Sequence, residues 1–131
     1  MRLMIVDDHP PAREIIRQYL ALPGVTVCEC GSGEEALQCV REFRPHWVTV
    51  DVSLPGMNGF QTTRALRAEY PSARVVIVTG HNEMPYHQHS REAGAIALIN
   101  KEHLMVMRMM LSRELAGKTR PPQPDGNKPA Q

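Results

Sequence analysis

The sequence has 131 residues, of which 42% are hydrophobic and 22% are charged, and these values are typical of one globular domain. Its formal net charge is +1 and it contains no run of lysine or arginine, so we expect no nucleic-acid binding by this chain alone. No apolar stretch has the length of a signal peptide or a membrane span, which predicts a cytoplasmic protein that does not contact a membrane.

The cysteines are odd in number and do not have the spacing of a zinc site. They stand at Cys28, Cys30 and Cys39. We interpret them as reduced structural thiols and assign them no chemistry.

The first half of the chain alternates strands and helices. Residues 3–6 are an apolar run of strand length, and residues 25–30 are a second run, which polar residues interrupt as expected for an edge strand. Between them, apolar residues recur at helical spacing and predict one buried stripe, made of Ala12, Ile15, Ile16, Tyr19 and Leu20. Ser32 and Glu35 then have the spacing of a capping box. The helix that follows is predicted to bury Ala36, Leu37, Val40 and Phe43.

The second half repeats the alternation three times. Apolar runs predict strands over 47–50, 75–78 and 96–99, and helical periods follow them over 60–70, 84–93 and about 102–115. The helix over 84–93 has a thin inward stripe of Tyr86, Ser90 and Ala93. We expect Gly117 to end the last helix, which gives a domain over 1–116 and a disordered tail or linker start over 117–131.

Alternating strands and helices with short connections predict an α/β fold. It is a doubly wound, five-stranded parallel sheet with helices on both faces. The flavodoxin-like strand order 2-1-3-4-5 would place the first and third strands at the switch point, where such folds bind ligands.

Chemically competent side chains follow four of these strands. Asp7 and Asp8 follow the first strand, and Asp51 follows the third. Thr79 follows the fourth strand and Lys101 the fifth, so the fold would gather all of them at one edge of the sheet.

Three carboxylates in one cleft need a compensating positive charge. Each pair repels by about 3 kcal/mol at about 5 Å and an effective dielectric constant of about 20. Mg²⁺ accepts a few carboxylate oxygens and leaves positions for water and phosphate. A carboxylate can also attack phosphorus, while a lysine and a hydroxyl stabilise the phosphoryl oxygens.

Each of these features has a simpler interpretation when it is taken alone. An acid pair after a strand is more often a solvated helix cap than a metal site. Thr79 is compatible with a strand-end turn residue, and Lys101 with a surface lysine. Only the coincidence of these residues with Asp51 favours a functional site.

These residues together resemble the receiver domain of bacterial two-component response regulators. The similarity covers about residues 1–115 and rests on Asp7-Asp8-His9-Pro10, Asp51, Leu54-Pro55-Gly56-Met57-Asn58-Gly59, Thr79, Gly94-Ala95 and Lys101. The resemblance implies that Asp51 accepts a phosphoryl group from a sensor histidine kinase or phosphotransfer protein. It also implies Mg²⁺ bound by Asp7, Asp8, Asp51 and the backbone carbonyl of Ser53, with Thr79 sensing the phosphorylated state and Lys101 contacting the phosphate.

The sequence departs from this family's pattern at the fifth strand. Receivers usually carry Tyr or Phe three residues before the lysine, as the aromatic partner of the switch threonine, and this position is Leu98. Ser53 and His81 stand where the family controls the access of hydrolytic water, so we expect them to set the lifetime of the phosphorylated state.

The last helix carries more apolar side chains than one core contact requires. Leu104, Met107, Leu111 and Leu115 form an inward stripe, and the surplus consists of Met105, Val106, Met109 and Met110. This surplus is compatible with a deeply packed helix, or with a surface for a homodimer, an output protein or an output domain.

Two functions remain open from the sequence. The first is a phosphorylation-dependent signalling switch that alters partner binding or dimerisation, with self-dephosphorylation as its only catalysis. The alternative is a pseudo-receiver that acts as an interaction module without phosphorylation, which Leu98 favours.

Overall fold

A computed structural model describes residues 1–80 and 84–119 of the chain. Five strands form one parallel sheet in the order β2-β1-β3-β4-β5, as predicted. The strands are β1 Arg2–Val6, β2 Thr26–Cys30, β3 Trp47–Asp51, β4 Arg74–Thr79 and β5 Ala97–Asn100. The α-helices are α1 Pro10–Leu20, α2 Gly33–Phe43, α3 Gly59–Glu69, α4 Met84–Ala93 and α5 Leu104–Thr119, with a 3₁₀ helix at Lys101–His103 before α5.

Helices cover both faces of the sheet, and each face has its own core. On one face α1 and α5 pack their buried residues, which are Ile16, Leu20, Leu104, Met107 and Leu111. On the other face α2 and α3 pack theirs, which are Ala36, Val40 and Leu66. Strand β3 is buried along its whole length, because helices lie above and below it.

The predicted stripe of α1 is too wide. Ile16 and Leu20 are buried, but Ile15 is 50% exposed and Tyr19 is 38% exposed. The core of this face takes only Ile16 and Leu20 from α1, which stand four residues apart on one side of the helix.

The ends of α2 and α5 also differ from the predictions. Ser32 caps α2 by accepting from the Glu35 amide at 3.1 Å, but the Glu35 carboxylate accepts from Gly31 rather than from Ser32. The expected end of α5 at Gly117 is wrong, because the helix continues through Gly117 to Thr119. Glycine ends a helix by adopting positive φ, and Gly117 is not among the described glycines that do so.

Three smaller findings complete the fold. The cysteines are free thiols, and burial is the main cause that raises the pKa of Cys30. Within residues 1–80 and 84–119, no helix is both long enough and hydrophobic enough to cross a bilayer. Ser90 and Ala93 on α4 are buried and Tyr86 is half-buried, as predicted.

Candidate functional site

The sheet brings three carboxylates together where β1 and β3 end. Asp51 is the last residue of β3, and Asp7 and Asp8 directly follow β1. One ligand atom from each lies within 4.8 Å of the other two. Asp7 is fully buried and Asp51 is 8% exposed, whereas Asp8 is exposed. The cluster therefore has two buried charges and one open side.

Lys101 supplies the positive charge in this cluster. It directly follows β5 and begins the 3₁₀ helix. Its Nζ lies 3.1 Å from Asp51 Oδ1 and 3.4 Å from Asp7 Oδ2. One ammonium thus faces two buried carboxylates, and the site retains an excess of negative charge.

The environment shifts the pKa of both partners in this ion pair. Burial is the main cause that raises the pKa of Asp51, and the charge of Asp7 adds to it, while Lys101 opposes both. Burial alone would lower the pKa of Lys101, but its bond to Asp51 and the charges of Asp51 and Asp7 outweigh burial and raise it. Burial thus disfavours the charged form of Asp51, and a bound cation would offset that effect.

The donor set fits a small divalent cation. Asp7 Oδ1 accepts a hydrogen bond from the His9 amide at 2.9 Å, whereas the buried Oδ2 makes no hydrogen bond within the described residues and has the Lys101 ammonium 3.4 Å away. A buried carboxylate oxygen with only this one long ionic contact can gain from a further ligand. With Asp8 and Asp51 adjacent, this oxygen is suited to a hard cation such as Mg²⁺.

Thr79 and Ser53 stand at the same edge of the sheet. Thr79 ends β4 and is 2% exposed. Asp51 is level with Val78 on the neighbouring strand, so Thr79 lies one residue beyond it. Ser53 is exposed in the segment after β3, and His81 lies outside the described residues.

Two contacts of the site were not predicted from the sequence. Arg13 on α1 donates through Nη1 to the backbone oxygen of Asp7 at 2.6 Å, and its Nε pairs with Glu29 at 3.0 Å. Gly59 begins α3 so close to the site that a Cβ there would lie 2.3 Å from the backbone oxygen of Asp51. The Asn58-Gly59 pair signalled a turn, but it did not reveal this backbone contact.

Leu98 belongs to a small apolar cluster beside the site, which we call the α4 cluster. Its buried members are Val52, Ile77 and Ala95, and Phe60, Tyr86 and Leu98 pack against them half-buried. The ring centroids of Phe60 and Tyr86 are 5.7 Å apart with a tilt of 60°. The cluster therefore joins β3, β4 and β5 to both α3 and α4.

A 2-1-3-4-5 parallel sheet with three acids and a lysine at its switch point is the architecture of a receiver-type signalling domain. The sequence profile of the response regulator receiver domain matches residues 3–110. The chain belongs to this family, and two-component signalling is its context.

Characterised relatives are longer than this chain. The transcriptional activator protein ExaE of Pseudomonas putida is 42% identical over 103 residues, which cover 77% of this chain and 48% of that protein. The DNA-binding transcriptional activator EvgA of Escherichia coli K12 is 35% identical over 106 residues, covering 80% of this chain and 52% of that protein. The chain thus spans about half the length of these relatives.

Solved structures agree with the fold. A LuxR-family two-component response regulator from Aurantimonas sp. SI85-9A1 has a TM-score of 0.78 at 35% identity, covering 95% of this chain and 90% of that one. The receiver domain of the response regulator NarL from Mycobacterium tuberculosis has a TM-score of 0.76 at 29% identity, covering 91% and 97%.

Proposed function

We propose that this chain is a phosphorylation-dependent signalling switch whose phosphoacceptor is Asp51. The supporting observation is the convergence of Asp7, Asp8 and Asp51, whose ligand atoms lie within 4.8 Å of one another, with one lysine, Lys101, facing the two buried carboxylates. Asp7, Asp8, Asp51 and the backbone carbonyl of Ser53 would hold Mg²⁺. When bound, the cation neutralises the charge that otherwise repels a phosphoryl group.

The chain's own residues perform the transfer in this proposal. A carboxylate oxygen of Asp51 forms a bond to phosphorus as the bond to the donor's imidazole nitrogen breaks, and the leaving imidazole takes up a proton. Lys101 Nζ, 3.1 Å from Asp51 Oδ1, exchanges this contact for a phosphoryl oxygen. The Thr79 hydroxyl donates to another phosphoryl oxygen and so registers the modified state.

The donor in this proposal is a sensor histidine kinase or a phosphotransfer protein in the cytoplasm. The switch acts on an output domain or protein, and transcriptional control is supported by the names of the longer relatives. Hydrolysis of its own aspartyl phosphate is the only catalysis we assign to the chain. Ser53 and His81 would set the rate of that hydrolysis.

The last helix offers a surface for a homodimer in the phosphorylated state. Its half-exposed side chains, Met105, Val106 and Met109, form what we call the α5 apolar surface. A groove of about 280 Å³ adjoins it, lined by Val106, Met109, Met110 and Arg113. Met110 itself packs partly against the core, so the surplus predicted from the sequence is reduced by one residue.

The experiment that tests the switch is intact-protein mass after incubation with a small phosphodonor and Mg²⁺. We expect one phosphoryl adduct, which disappears without Mg²⁺ and in Asp51→Ala. Glu14→Gln, which removes an exposed carboxylate on α1, is the matched control and should keep the adduct.

The contrary result is an absence of adduct under every condition. If Mg²⁺ also failed to bind in calorimetry, the pseudo-receiver alternative would stand instead. Leu98 is the observation that favours this alternative, because the half-buried β5 position carries no aromatic ring.

A further inference from the structure

The α4 cluster touches the site from two strands at once. Val52 directly follows Asp51 and is buried in the cluster, so a backbone movement at Asp51 would also displace Val52. Ile77 stands two residues before Thr79 on β4, and the two side chains point to the same face of the sheet. Asp51 is therefore adjacent in sequence to one residue of the cluster, and Thr79 stands two residues from another on the same face of the sheet.

The cluster carries its aromatic rings on helices rather than on β5. Phe60 on α3 contacts Tyr86 on α4 at 5.7 Å and His89 on α4 at 5.5 Å between ring centroids. Leu98 packs against the same buried residues. A leucine is shorter than a tyrosine, and it has no hydroxyl that could report its position to a partner.

Tyr86 lies where the α4 cluster meets the surface of the protein. The side chain packs against the cluster and is half-buried, so part of it is accessible to solvent. Interiors packed at crystal density transmit small shifts instead of absorbing them. A displacement of Val52 or Ile77 would therefore act on the Phe60 and Tyr86 rings that pack against them.

We propose that Tyr86 is the positioning residue that couples phosphorylation to α4, in the role left open by Leu98. The inference rests on the proposed phosphorylation of Asp51. Repacking of the Phe60–Tyr86 contact shifts α4 against the sheet and changes the surface that α4 presents to a partner. In this design, the aromatic residue that signals the modified state belongs to the helix that moves.

Fluorine NMR of protein containing 3-fluorotyrosine tests the coupling. The chain has three tyrosines, Tyr19, Tyr70 and Tyr86, so the two others are internal controls. Single Tyr→Phe variants assign the signals, and intact mass measures the phosphoryl adduct in the same sample. We expect adduct formation with Mg²⁺ to shift the Tyr86 signal at least twofold more than the signals of Tyr19 and Tyr70.

Two variants separate a coupling role from a merely structural one. Tyr86→Phe keeps the ring, and Tyr86→Leu removes it. Both should form the adduct at the wild-type rate, but only Tyr86→Phe should retain the phosphorylation-dependent change in hydrogen exchange of α4. Tyr19→Leu removes a ring that is 38% exposed on α1, and this control should behave as wild type.

The outcomes distinguish the two proposals. An adduct with an unmoved Tyr86 signal, or an unchanged α4 response in Tyr86→Leu, would overturn the coupling and leave the phosphorylation switch intact. If Tyr86→Leu does not fold, Phe60→Leu tests the same ring contact from α3, and an unchanged Tyr86 shift in that variant also overturns the coupling. Absence of any adduct would overturn both.

Discussion

At the scale of single residues, Asp7 has the clearest conflict between burial and charge. Its side chain is fully buried beside Asp51, and Lys101 at 3.4 Å offsets only part of the repulsion. Asp7→Asn removes this repulsion, and we expect the metal-free protein to gain about 1 kcal/mol in free energy of unfolding. The same change removes a cation ligand, so the stabilisation by Mg²⁺ should largely disappear.

Urea unfolding with and without Mg²⁺ measures both effects of Asp7→Asn. Glu14→Gln provides the comparison, because it removes an exposed charge on α1 that is not part of the acid cluster. If Mg²⁺ stabilised Asp7→Asn as strongly as wild type, Asp7 would not be a ligand.

Asp51 gives the pH dependence of stability a defined sign. Its pKa in the folded protein is raised, chiefly by burial and then by Asp7, so the native state binds this proton more tightly than the unfolded chain. The contribution to stability is therefore fully present below the unfolded pKa of about 3.9 and is lost as pH rises through the folded pKa. Asp51→Asn should lack this loss.

Saturating Mg²⁺ should also remove the loss in the wild type, because the cation favours the charged carboxylate. Unfolding free energies measured across acid pH with and without the cation would show this. A wild type whose stability rises with pH through the same window, relative to Asp51→Asn, would contradict the raised pKa.

At the scale of elements, two glycines of similar appearance in the sequence have opposite roles. Gly59 begins α3 with its Cα against the Asp51 carbonyl, and a Cβ would lie 2.3 Å from that oxygen. Gly117 stands within α5, and a Cβ there would meet no atom within 4 Å. The first glycine permits a close approach, whereas the second only weakens its helix.

We therefore expect Gly59→Ala to destabilise the fold by about 3 kcal/mol, because the backbone of α3 or β3 must shift. Gly117→Ala should stabilise it by about 0.5 kcal/mol, since alanine is the better helix former near a helix end. Chemical denaturation of both variants tests the pair. Equal effects of the two changes would mean that the close approach at Gly59 is not a constraint.

The sequence predicted the elements whose signals are local. Strand β3 is a continuous apolar run that ends at an acid, and this pattern alone located Asp51. The width of the α1 stripe depends on how closely the helix approaches the sheet, so Ile15 and Tyr19 could not be assigned correctly from periodicity. The sequence also does not show whether Gly117 adopts the positive φ that would end a helix.

The sequence also predicted part of the candidate site. The rule that parallel strands end at one edge brought Asp7, Asp8, Asp51 and Lys101 together, and the structure does so. The bond from Arg13 to the Asp7 backbone depends on the placement of α1 against β1, and no short motif encodes that placement.

At the scale of the whole molecule, the α5 apolar surface should govern self-association. Met109 is the most exposed of its three side chains at 56%, and Met109→Glu would bury an unpaired charge in any dimer formed there. We expect the phosphorylated variant to dimerise at least about tenfold more weakly than wild type, which corresponds to about 1.4 kcal/mol. Light scattering after size-exclusion chromatography measures this.

Ile96→Glu is the control for this surface, since Ile96 is 51% exposed before β5 and does not belong to α5. Met109→Glu and Ile96→Glu should both form the phosphoryl adduct at the wild-type rate. A dimer that tolerated Met109→Glu but not Ile96→Glu would move the interface away from the last helix.

The strand order also determines how far each part of the site can open independently of the rest. Strand β3 has hydrogen-bonded neighbours on both sides, whereas β5 is an edge strand paired only with β4. Releasing strand β3, which ends at Asp51, requires two ladders to break, but releasing β5, which ends one residue before Lys101, requires one. Amide protons of β5 should therefore exchange through a partial unfolding that leaves β1, β3 and β4 closed. We therefore expect the lysine to belong to a less stable cooperative unit than the acid with which it pairs, and thermal fluctuations to separate the two without unfolding the domain.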